Sequence, residues 1–66
     1  MLYDLETPSG VTLATCATEL EAIRKAAILS LCGSVILITC VHLGSHSHRV
    51  AVLHLGRLLP VSSLLS

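Results

Sequence analysis

Between Lys25 and Arg49 the chain carries no formal charge, and within that gap Ala26 to Leu43 reads AAILSLCGSVILITCVHL. An α-helix of that length covers roughly 27 Å, close to the hydrocarbon thickness of a bilayer. Any fold proposed for this chain has to place that run. Read as a helix, it implies a protein whose place of work is a membrane.

Composition bears on where such a run can be buried. The chain has 66 residues, no Phe and no Trp, so the side chains that dominate most small cores are missing. A domain of about 60 residues buries only a modest fraction of its surface on folding. High apolar content without Phe or Trp therefore points to burial in lipid or against a partner. Acidic and basic residues balance at a net charge of zero, which gives no footing for nucleic acid. Cys16, Cys32 and Cys40 are odd in number, so a disulfide framework would leave one unpaired, and reduced thiols are expected. A cleaved leader is not expected, because acids at Asp4, Glu6, Glu19 and Glu21 precede the apolar run.

Helix punctuation supports the spanning reading. Thr18-Glu19-Leu20-Glu21 fits a capping box, and Glu21 and Lys25 form a favourable i, i+4 pair. Gly44 stands where a left-handed C′ residue would close a helix. The expected fold class is all-α: a single transmembrane helix at about 19–43, preceded by an irregular N-terminal segment. The corresponding divisions are 1–17, 18–44 and 45–66. In the first, Thr7-Pro8-Ser9-Gly10 reads as a turn. In the last, Ala51, Val52, Leu55, Leu58 and Leu59 share one helical face, which predicts a short interfacial amphipathic helix at about 49–59, ending before Pro60. A strand over Val50 to Leu55 is the rival.

The candidate functional surface is a stripe of small residues. Ala22, Ala26, Ser30 and Ser34 recur every four positions with Gly33 beside them, a pattern that lets helix backbones approach closely. Arg24 and Lys25 on one side, and Arg49 and Arg57 on the other, serve as interface anchors and leave orientation undecided. His42, His46 and His48, with Cys40 nearby, form a weak metal pattern that lacks the paired spacing of structural zinc sites, so no cofactor is expected. Cys40 and His42 would point apart on a helix, which leaves no thiol nucleophile with its base. Cys16 stands where S-acylation is conceivable.

The sequence thus predicts a non-enzymatic, single-pass membrane microprotein. Its role would be that of an accessory subunit or regulator of a larger complex, acting by helix–helix packing. Its partners would be a membrane protein or its own copies, together with the lipid bilayer, and no nucleic acid. The alternatives are a self-associating pore-forming or membrane-active peptide, and a soluble helical module docked on a protein partner.

Overall fold

A computed structural model describes residues 1–42 and 47–60. The elements in chain order are β1 (Leu2–Glu6), β2 (Thr12–Cys16), α1 (Glu19–Leu29), a 3-10 turn (Ser30–Cys32), β3 (Val35–Val41), β4 (Ser47–His54) and β5 (Arg57–Leu59). The strands form one sheet in the order β2-β1-β3-β4-β5, antiparallel at every step. Because β1 is antiparallel to both β2 and β3, those two run the same way with β1 between them. A tight turn cannot join parallel strands, so a crossover is required, and α1 supplies it.

The all-α expectation is overturned. The helix that was expected to reach residue 43 ends at Leu29, and Gly33 follows the 3-10 turn in the left-handed region at φ 99°. The second half of the apolar run, Val35-Ile36-Leu37-Ile38-Thr39-Cys40-Val41, is the central strand β3. Ile36 to Cys40 are buried at five consecutive positions, so both faces of β3 are covered. A strand covered on both faces shows no polar–apolar alternation and resembles a slice of apolar helix. Its β-branched residues are the local reason it is extended. No helix among the described residues is long and apolar enough to cross a membrane, which removes the basis for single-pass residence.

The interfacial helix expected at 49–59 is instead the hairpin of β4 and β5. Leu55 and Gly56 both have positive φ, 53° and 75°, as the centre of a type I′ turn requires. The N-terminal segment is also a hairpin, with Leu5 opposite Ala14 and Tyr3 opposite Cys16. Its turn is the expected one: Gly10 N–H donates to the Thr7 carbonyl at 2.9 Å, and Val11 N–H to Thr7 Oγ1 at 3.1 Å. Thr18 caps α1, accepting from Glu21 N–H at 3.2 Å. Gly44 lies outside the described residues.

One face of the sheet packs on α1. Leu5, Cys16, Ile36, Ile38, Ala51 and Leu53 meet Ala22 and Ala26 there, with Tyr3, Ala14, Ile23, Ala27 and Val50 at the margin. Alanine at the contact lets the helix lie close to the strands, so the layer closes without Phe or Trp. Ser30 then ties the helix end to the β4–β5 turn. Its hydroxyl donates to the Ala27 carbonyl and accepts from Gly56 N–H, both at 2.9 Å. Its carbonyl accepts from Gly33 N–H and Leu55 N–H. We expect Gly33→Ala to lower stability by about 1 kcal/mol, through the left-handed backbone alone, since an added Cβ would meet no atom within 4 Å. Urea denaturation measures this.

Candidate functional site

Strand geometry assembles a cluster that a helix would have dispersed. Cys40 and His42 are two residues apart at the end of β3, and alternation turns both to one face. Across the ladder, His48 on β4 is the register partner of Cys40. That placement depends on a bulge. Ile38 pairs with Ala51, but Thr39 pairs with Arg49, so Val50 is the extra residue. Leu53 and Ala51 face α1, and unbroken alternation would turn Arg49 the same way and His48 to the other face. The bulge reverses the phase. His48 therefore joins Cys40, while Arg49 goes to the opposite face beside Glu6 and Thr39.

The resulting geometry is tight. Cys40 Sγ lies 3.7 Å from His42 Nε2. The His42 and His48 rings stack with centroids 5.3 Å apart and planes 20° from parallel. One donor atom from each of the three residues lies within 4.8 Å of the others. Cys40 is buried, His42 half-buried and His48 exposed, so the cluster opens to solvent on the imidazole side. On the inner side, Tyr3 of β1 is the other register partner of Cys40. Partial burial holds the Tyr3 phenol above its ordinary pKa, and the neighbouring Cys40 thiol and the Glu19 carboxylate push it the same way.

Among the sequence candidates, His42 and His48 are brought together with Cys40, and His46 lies outside the described residues. His54 sits at the far end of β4, with Nε2 3.1 Å from the Gly33 carbonyl oxygen. The three cysteines are separate and free. Cys16 lies in the core, and Cys32 is exposed, its thiol held below the usual range by the Ser34 hydroxyl.

Ala22, Ala26 and Ser30 are fully buried, and the surface they meet is the chain's own sheet and β4–β5 turn. Gly33 and Ser34 lie exposed beyond the helix. Arg24, Lys25, Arg49 and Arg57 are exposed and spread over α1, β4 and β5.

A second surface went unrecognised in the sequence. Leu20 and Ile28, at one-turn spacing from Arg24, lie exposed on the outward side of α1. Leu31 on the 3-10 turn is exposed and close to Gly56, where an added Cβ would come within 3.0 Å of Leu31 Cδ2. Leu55, beside Gly56, is exposed as well. Exposed aliphatics thus stand both on α1 and beside the β4–β5 turn. The signal was present as Leu20, Ile28 and Leu31 opposite the alanines, but a spanning helix expects apolar residues all round and hides it.

No protein-family model, no curated protein and no solved structure matches the chain.

Proposed function

We propose that this chain is a small interaction module that works by contact, as an accessory or regulatory element of a larger protein assembly. One observation carries the reading: α1 buries Ala22 and Ala26 and exposes Leu20 and Ile28. Ala22 and Ala26 are at 0% exposure, whereas Leu20 and Ile28 are at 60% and 70%. In a self-sufficient domain the large aliphatics of an amphipathic helix face the core. Single exposed leucines are ordinary, but here Leu20 and Ile28 share the outward side of α1, and Leu31 and Leu55 stand exposed beside Gly56. Full burial of each contributes about 1.5–3 kcal/mol, which makes the patch a source of binding energy. Glu21, Arg24 and Lys25 border it, so its polar rim carries both signs of charge.

Site-specific photo-crosslinking tests this. A photoreactive residue at Ile28 should give a discrete protein adduct in cells, one at Arg49 on the sheet face opposite α1 should not, and Leu20→Glu should abolish the first. Equal adducts at both positions, or none at either, would overturn the reading.

A further inference from the structure

We infer that Cys40, His42 and His48 form a binding site for zinc, a borderline-soft divalent cation, at the end of the β3–β4 ladder where β3 finishes and β4 begins. The inference is independent of the apolar contact surface, because the cluster rests on different elements and a different chemistry. Metal–ligand lengths of about 2.3 Å to sulfur and about 2.0 Å to nitrogen put tetrahedral neighbours about 3.3–3.6 Å apart. Cys40 Sγ and His42 Nε2 are already 3.7 Å apart, and all three donors fall within 4.8 Å. The remaining closure falls to His48, which is exposed and would have to leave its stacked position on His42 to aim a ring nitrogen at the ion.

The donor set selects the class of ion. One thiolate and two imidazoles suit zinc, cobalt(II) or copper(I), and not magnesium or calcium, which require oxygen ligands. No carboxylate belongs to the cluster. The scaffold is also suitable, because two of the three donors sit on paired strands and the sheet fixes their separation. Tyr3 flanks Cys40 from the β1 side, so the ion approaches from the solvent side, where the imidazoles stand. Three protein donors leave one tetrahedral position for water or another ligand.

Cobalt(II) titration of the purified full chain, followed by zinc competition, tests the site. Expected results are one equivalent bound, a thiolate-to-cobalt charge-transfer band with tetrahedral d–d bands, and loss of these bands when zinc is added. Cys40→Ser should lose the charge-transfer band. His48→Gln changes an exposed residue and should keep the fold by circular dichroism while weakening binding at least about 100-fold. This variant decides the matter if Cys40→Ser fails to fold. Cys32→Ala should leave the spectrum unchanged. Wild-type affinity in His48→Gln, a charge-transfer band that disappears in Cys32→Ala, or cobalt binding with no thiolate band would each overturn the assignment.

Discussion

Ile38→Ala should cost about 2–5 kcal/mol and shift the unfolding midpoint far below that of the wild type. Ile38 is fully buried at the centre of β3, opposite Leu5 on one side and Ala51 on the other. It belongs to the core cluster under α1, so truncation opens a cavity between the helix and strands β1, β3 and β4. A chain of this size has about 3–10 kcal/mol of stability in total, so a loss of that magnitude is a large share of it. Leu13→Ala on the outer strand β2, where the side chain is already 46% exposed, should move stability by less than about 1 kcal/mol. Urea denaturation followed by far-ultraviolet circular dichroism compares the two. Equal effects would contradict the sheet order.

The two serines of the small-residue stripe should part company when each is replaced by leucine. Ser30→Leu removes the hydroxyl that accepts from Gly56 N–H and forces a larger side chain into a fully buried position. Overpacking and an unsatisfied amide together cost about 3 kcal/mol or more. Ser34→Leu, on an exposed residue between Gly33 and β3, should stay within about 0.5 kcal/mol of wild type. Were the stripe a contact face for another helix, both changes would weaken association and neither would unfold the chain. Thermal melts of the two variants separate the cases. A Ser30→Leu protein that melts with wild type would refute the role of Ser30 in joining α1 to the β4–β5 turn.

Local chemistry was legible where it depended on neighbours in sequence. The Thr7–Gly10 turn and the Thr18 cap follow from residue type and spacing, and both are present. The small-residue stripe was legible as a close-packing face, but spacing carries no information about what packs on it. The fate of the apolar run was not legible in the same way. Gly33 has the left-handed conformation that stops a helix, yet in a row of small residues it passed for part of the stripe. Beyond it, β3 has no alternation to reveal a strand, because both of its faces are buried. In β4 and β5, the apolar residues from Ala51 to Leu59 satisfy a helical period as well as an extended one. Only the Leu55–Gly56 turn breaks the tie. The cluster of Cys40, His42 and His48 depends on ladder register and on one extra residue at Val50, and neither can be read from a single chain.

The sheet order has a kinetic consequence. Three of its four ladders are hairpins that close within a few residues, whereas β1 and β3 meet across a wide gap: Glu6 and Thr39, joined by a hydrogen bond, are 33 residues apart. Closing the longer loop costs more chain entropy before any contact offsets it. The two ends of the molecule should therefore zip independently, and the central seam should set the refolding rate. Substitutions along that seam would slow refolding, and substitutions in β5 would mainly hasten unfolding, a division that stopped-flow chevrons would expose. During synthesis the first hairpin and α1 leave the ribosome before β3 does, so for that interval the inward face of Leu5 has no seam to close on.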